Sequence, residues 1–290
     1  MPLTARTPGS PGEDAEEVDR EMNELEAGAV AVSYWTVHND HVEQVDSGVI
    51  EETLVSIYVN GQELATVMCS PIDHEALALG FLVNEGVIQS MDEVGLVKVN
   101  LAKTVVDVLL NREHFEPPRR MILTSGCGGG VTLQNLSESY PALESDFATT
   151  PNVILQRMKD LQGASKLYNQ VRGVHTAIIG DAQQLLVSAE DVGRHNAVDK
   201  VAGKALMDGL ETKDCLLLTS GRISSEMLGK ARRMGIAIVV SRTSPTSITL
   251  QLAQAWNICV VGYVRQGSMR VYTHPQRLGI ETNRQDARIA

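Results

Sequence analysis

The feature that most constrains this chain is an alternation that begins near residue 150. There, short apolar runs of strand length take turns with longer stretches of helical spacing. The pattern predicts helices over Pro151 to Leu161, Arg194 to Met207, Ser224 to Met234 and Pro245 to Trp256. Strands are predicted at Val174 to Ile179, Leu185 to Ala189, Cys215 to Thr219, Ile236 to Ser241, Ile258 to Val261 and Met269 to Tyr272. Strands that alternate with helices imply a sheet covered by helices, with parallel strands in its second half. In such sheets ligands bind outside the carboxyl ends of the strands, which directs attention to the strand-to-helix turns.

The earlier part of the chain has a different texture. Val30 to Val37 and Val49 to Met68 are rich in Val, Ile, Thr and Tyr, and Asn60-Gly61 between Leu54 to Val59 and Glu63 to Met68 is a strong two-residue hairpin signal. Asp73 is the expected N-cap of a helix over His74 to Val87, with Gly86 near its end. Strands at Val94 to Val99 and Val105 to Leu110 follow. The expected organisation is an acidic tail over 1–28, a β-rich subdomain with one helix over 29–115, and a Gly-rich loop with connector over 116–149. An α/β domain over 150–280 and a short tail over 281–290 complete it.

Charge and cysteine usage exclude several classes. The net charge is −11, and residues 1–30 alone hold eight acids against Arg6 and Arg20. No basic stripe suggests general nucleic-acid binding. The longest apolar runs are too short for a membrane, which needs about 20 apolar residues, and the start lacks the apolar core of a signal peptide. A cytoplasmic location is therefore the expectation. Of the four cysteines, Cys69, Cys215 and Cys259 sit in or at the end of apolar strands and are expected to be structural. Being cytosolic, all four are expected to stay reduced.

Cys127 stands apart, in Thr124-Ser125-Gly126-Cys127-Gly128-Gly129-Gly130, where four of seven residues are glycine. The residues alone leave two readings open. One is a tight turn or phosphate cradle in which the thiol is incidental. The other is a thiol on a movable arm, with Arg119 and Arg120 as basic neighbours that would favour its thiolate.

Three strand-to-helix turns repeat one design. Glu190 to Lys200 carries Asp191, Arg194, His195 and Asn196 at the start of a helix, where free backbone N–H groups and the helix dipole suit an anion. The competing reading makes Asp191 an N-cap and Arg194, Asp199 and Lys200 a solvated face. The next turn carries Ser220, Gly221 and Arg222, and the third carries Ser241, Arg242, Thr243 and Ser247. One such turn would mean little, since Ser and Thr are ordinary caps. Three on one sheet edge, each with an arginine, suggest a cleft for a polyanion such as a nucleotide or pyrophosphate. Tyr263, Val264, Arg265, Gln266, Gly267 and Ser268 follow the next strand and extend the edge, with Tyr263 as a stacking face. A zinc site is not expected: His175 is followed by Thr176 and Ala177 rather than the H-x-E of zinc deaminases, and no P-C-x-x-C occurs. No G-x-S-x-G supports a serine hydrolase.

These segments together resemble the formate dehydrogenase accessory sulfurtransferase family (FdhD), over about 45–278. The matching stretches are Cys69-Ser70-Pro71 with the helix to Glu85-Gly86, Ser125-Gly126-Cys127-Gly128, Gly173-Val174-His175, Glu190 to Lys200, Ser220 to Glu226, Ser241 to Ser247 and Val271 to Pro275. The resemblance implies a cytidine-deaminase-like three-layer α/β core without zinc, a smaller β-rich N-terminal subdomain and a homodimer. It implies a persulfide carrier at Cys127, charged by a cysteine desulfurase, that sulfurates molybdenum bis(molybdopterin guanine dinucleotide) for the formate dehydrogenase catalytic subunit. It also assigns the Tyr263 to Ser268 stretch to that cofactor. One departure is plain: the family commonly has Cys-x-x-Cys in the loop, and here the second position is Gly130. A single thiol still holds one persulfide, but the departure favours, as the alternative, a cofactor-binding chaperone that moves no sulfur.

Overall fold

A computed structural model describes residues 25–39, 41–116 and 141–281. Its largest sheet has six strands in the order β12-β11-β10-β9-β7-β8. These are β7 (His175–Gly180), β8 (Leu185–Asp191), β9 (Leu216–Thr219), β10 (Ile238–Ser241), β11 (Cys259–Arg265) and β12 (Ser268–Val271). The central β9, β10 and β11 are mutually parallel, as the alternation of apolar runs and helices predicts. Strand β7 is antiparallel to both β8 and β9, so β8 to β11 all point the same way.

Both faces of this sheet are covered. Helices α4 (Arg194–Met207), α5 (Ser225–Arg233) and α6 (Ser247–Ala255) close one face over Ile179, Leu217, Val239 and Val260, with Trp256 at the end of α6 in the same core. Helix α2 (Pro151–Ala164) covers the other with Ile154, Met158 and Leu161 against Ile178, Leu218, Val240 and Val261. The result is three layers, built because strands buried on both faces must be apolar throughout. Short side-chain caps start three of the helices: Thr150, Ser224 and Thr246 accept from Val153, Met227 and Thr249 N–H. Helix α3 (Lys166–Val171), which the periodicity does not predict, follows α2 directly.

The earlier region contains two sheets. Strands β3 (Thr53–Val59), β4 (Gln62–Cys69), β5 (Val94–Val99) and β6 (Val105–Leu110) form a four-stranded sheet in the order β4-β3-β6-β5. Its inner face packs Val55, Ile57, Val106 and Val108 against α1 (His74–Asn84) through Leu77 and Leu82. The β3–β4 hairpin turns at Asn60 (φ 48°) and Gly61 (φ 77°), as the two-residue signal requires. Strands β1 (Ala29–His38) and β2 (His41–Ile50) pair only with each other, as a separate antiparallel arm.

The predicted N-cap position is borne out, though without a side-chain capping bond. The Asp73 carboxylate instead meets Lys204 of α4 at 2.7 Å. That contact belongs to an intimate helix crossing. A Cβ added to Gly80 of α1 would lie 1.7 Å from the Asp199 carbonyl oxygen, and one on Gly203 of α4 would lie 1.9 Å from that of Ala76. Backbone therefore packs on backbone, and the helix of the β-rich region is fixed against the α/β core.

Candidate functional site: a cleft at the carboxyl edge of the sheet

Because β8 to β11 point one way, the turns after all four lie on one edge, where β7 also begins with His175. Neighbouring turns are stitched together. The Ile223 N–H donates to the Ser244 carbonyl and the Thr246 N–H to that of Ile223, while the Tyr263 N–H donates to the Thr243 carbonyl at 3.0 Å. Fully buried Ser241 donates from Oγ to the Gly221 carbonyl at 2.6 Å and accepts from the Thr243 N–H. Ser241 is thus a rivet between turns and does not itself face a ligand.

A cavity of about 260 Å³ opens along this edge. Leu161 and Val174 give it apolar floor, Ser165, Thr176, Ser220 and Thr243 give it hydroxyls, and Tyr168, His175, Arg242 and Arg265 complete its wall. Ser220 Oγ accepts from the Thr176 N–H at 3.0 Å and lies 3.3 Å from His175 Nδ1. The His175 pKa is lowered, first by burial and then by the Arg194 guanidinium, against an opposing pull from Asp191. Gly221 permits this crowding: a Cβ there would stand 2.9 Å from Arg194 Cβ and 3.3 Å from His175 Nδ1. Arg194 Nε is buried beside the site without a hydrogen-bond partner. Two guanidiniums, Arg242 and Arg265, and a row of hydroxyls around one concavity can take an anion with directed hydrogen bonds.

Of the residues expected here, Ser220, Thr243 and Arg265 line the cavity, and Arg194 and Gly221 stand immediately behind His175. Arg222 and Ser247 are exposed on their turns and outside its wall. Arg242, expected as the arginine of the third turn, lines it too, and so do Leu161, Ser165, Tyr168, Val174, His175 and Thr176, which were not among the expected ligand residues. Tyr168 belongs to α3, whose first turn is held from a distance: the Glu190 carboxylate accepts from the N–H groups of Leu167 and Tyr168 at 2.9 Å each.

The turn after β8 has a different occupation from the one expected. Asp191 is fully buried and pairs with fully buried Lys200 at 2.6 Å. Its carboxylate also accepts from the N–H groups of Ser70 (3.1 Å) and Gly193 (2.7 Å) and from Asn196 Nδ2 (2.9 Å). Asn196 Nδ2 donates besides to the Met68 carbonyl, and Lys200 to that of Ser70. These groups join the end of β4 to the α/β core, so Asp191 and Asn196 act as structural ties. His195 is buried against Glu226 at 3.4 Å, its pKa lowered to about 3 by burial and by Lys230, Arg194 and His175. Nor is the helix face solvated: Asp199 is buried with Lys230 at 2.5 Å and accepts from Asn84 Nδ2. The helix cap falls at Gly193 rather than Asp191.

The stretch at the end of β11 also needs redrawing. Strand β11 runs on to Arg265, so only Gln266 and Gly267 form the turn. Val264 is a core residue, packed with Met158 and Leu278 in the layer under α2. Tyr263 sits in a β-bulge with φ 52°, and Arg270 of β12 lies over its ring at 4.2 Å. One face of that ring is therefore already covered. Ser268 Oγ donates to the Arg265 carbonyl at 3.0 Å, closing the hairpin.

Cys69, Cys215 and Cys259 are all buried and free. Burial pushes the Cys69 and Cys259 thiols up to about 12 and that of Cys215 to about 11. Cys127, Gly130, Arg119 and Arg120, and the tails over 1–24 and 282–290, lie outside the described residues. Among the described residues no helix is long and apolar enough to cross a membrane.

Comparison with known proteins matches residues 50–279 to the FdhD/NarQ family. A sulfur carrier protein FdhD of Bacillus subtilis (strain 168) is 35% identical over 249 residues, covering 84% of this chain and 95% of that protein. One of the same name from Staphylococcus aureus (strain Newman) is 37% identical over 234 residues, covering 79% and 88%. A crystal structure described as a formate dehydrogenase accessory protein from Desulfotalea psychrophila superposes with a TM-score of 0.72 at 28% identity, covering 86% of this chain and 99% of that one.

Proposed function

The chain belongs to the FdhD/NarQ family, and from that premise we propose that it is a sulfur carrier with Cys127 as the loaded thiol. It works in the cytoplasm as a homodimer. A cysteine desulfurase supplies the sulfur, and its destination is molybdenum bis(molybdopterin guanine dinucleotide), held as cargo for the formate dehydrogenase catalytic subunit. The observation that carries this reading is the state of the other cysteines. A carrier needs a thiolate, and Cys69, Cys215 and Cys259 are buried with pKa values of about 11 to 12. Of the chain's four thiols, Cys127 is the one left to do the work. In loading, the Cys127 thiolate attacks the outer sulfur of the desulfurase persulfide; the new S–S bond forms as the old one breaks, and the desulfurase leaves as its thiol.

The carboxyl-edge cleft supports the cargo half of the proposal. Its volume of about 260 Å³ lies below the range typical for whole drug-sized ligands, ~300–1,000 Å³, so it takes one end of a large cofactor. Arg242, Arg265 and the free N–H of Arg194 suit the pyrophosphate end of a guanine dinucleotide. The test is intact mass after incubation with a cysteine desulfurase and cysteine. Wild type is expected to gain one reductant-labile sulfur, and Cys127→Ala none. Equal gain in both, or gain in neither, would leave the cofactor-holding chaperone that Gly130 favours as the better account.

A further inference from the structure

Histidine is the side chain whose charge changes near neutral pH, and among the described residues His175 is the one histidine that lines the carboxyl-edge cleft. Its ring is anchored at one end. Nδ1 lies 3.3 Å from Ser220 Oγ, and that oxygen accepts from the Thr176 N–H at 3.0 Å. The Ser220 N–H donates in turn to the Thr176 carbonyl at 2.9 Å, which fixes the hydroxyl in place. A hydroxyl has one proton to give and two lone pairs. With one lone pair taken by Thr176, Ser220 can still donate to a neutral Nδ1 or accept from a protonated one. The anchor therefore suits both charge states, and Nε2 has no hydrogen-bond partner among the described residues.

The surrounding charges decide which state the empty cleft holds. Arg194 of α4 stands beside the ring, with His195, kept neutral by burial, beyond it. Arg242 after β10 and Arg265 of β11 share the cavity, and α3 brings Tyr168 with Arg172 over its ring at 4.9 Å. On the acidic side, Asp191 of β8 is paired with Lys200, and Glu190 is occupied by the N–H groups of Leu167 and Tyr168. Burial and Arg194 hold the His175 pKa below its ordinary value, with Asp191 pulling the other way. A neutral imidazole thus stands among cations, where an arriving anion favours its charged form.

We propose that His175 takes up a proton as a pyrophosphate enters the cleft, and that the imidazolium joins Arg242 and Arg265 in holding it. The proposal rests on the cleft being the cargo site, and adds the residue that ties cargo binding to pH. Occupied, His175 binds its proton more tightly than when empty. The affinity gained is full below the empty-state pKa and is lost as pH rises through the occupied-state pKa.

The probe is guanosine diphosphate mannose, a pyrophosphate diester that takes up no proton of its own between pH ~6 and ~8, the range in which a histidine titrates. Calorimetry on the full chain, in buffers of unlike ionisation enthalpy, counts the protons taken up on binding. Wild type is expected to take up a fraction of a proton per site. It is expected to bind ~5-fold or more tightly at pH ~6 than at ~8, because a tenfold change in the ring's acidity is a tenfold change in affinity between its charge states. His175→Gln is expected to take up none and to bind equally at both. Imidazole NMR of wild type reads the ring directly: the His175 signal, identified by its loss in His175→Gln, is expected to titrate at a pH higher by ~1 or more with the probe bound. Binding without proton uptake by wild type would overturn the role of His175 and leave the cleft standing as the cargo site, and this count needs no folded variant. Uptake that persists in His175→Gln would do the same. No binding by wild type would overturn both.

Discussion

The turn after β8 and the turns after β9, β10 and β11 share a vocabulary. Each leaves a strand at the same sheet edge, crowds Arg, Ser, Thr, Asp or Asn into a few residues, and three of the four open a helix. Their fates differ completely. After β8, Asp191, Asn196 and Lys200 turn inward and bind the end of β4, with Asp199, Lys230 and Asn84 forming a second buried knot nearby. After β9 to β11, Ser220, Arg242, Thr243 and Arg265 stand around an open cavity. The difference is what packs on the turn. The end of β4 closes on the first turn through Met68 and Ser70, and α1 crosses α4 beyond it at Gly80 and Gly203. Polar side chains that are sealed must satisfy each other, because an unpaired buried charge is costly; those left open can satisfy a ligand.

The sharpest way to break this comparison is Asp191→Ala, which leaves Lys200 buried without its carboxylate. Unfolding in denaturant is expected to show a loss of about 3–5 kcal/mol. A loss under about 1 kcal/mol would mean that the β8 turn is not the tie described. Next in size is the open side. Arg242→Ala or Arg265→Ala is expected to weaken binding of guanosine diphosphate ~10-fold or more by calorimetry, the loss of a charge-assisted hydrogen bond. Stability should move by no more than about 0.5 kcal/mol. The opposite pattern, with stability lost and affinity kept, would place these arginines in the fold rather than the cleft. The smallest effect is a pH dependence. His195 has its folded pKa lowered from 6.5 to about 3, so between those values the unfolded chain binds the extra proton. Stability contributed by neutral His195 is therefore present above pH ~6.5 and lost as pH falls through that window. The unfolding midpoint of His195→Gln is expected to fall less steeply with acidity than that of wild type, and parallel curves would remove His195 from the sealed cluster.

Local signals were legible where the physics is local. Asn60-Gly61 dictates a hairpin because both residues accept positive φ, and α4 is found at Arg194–Met207 as its periodicity predicts. Misses came where distant groups decide. Strand β2 carries His41, Glu43, Gln44 and Asp46, and is a strand because β1 pairs along its full length. Helix α3 has six residues, too few to stand on their own periodicity, and is held by Glu190. Tyr168 went unnoticed as a cavity residue for the same reason. His175 was visible in the Gly173-Val174-His175 stretch, but only the antiparallel placement of β7 brings it beside Ser220.

What the sequence determined by itself is the layered α/β character, the carboxyl-edge location of the polar turns and the family, because apolar periodicity and ordered motifs are properties of the chain read in line. What only the tertiary structure decided is which polar residues face water. Asp191 and Arg265 are equally charged in the sequence, and one is a buried tie while the other is open to a ligand. Burial is set by the element that packs on top, here the end of β4 from more than a hundred residues away, and no local pattern carries that contact.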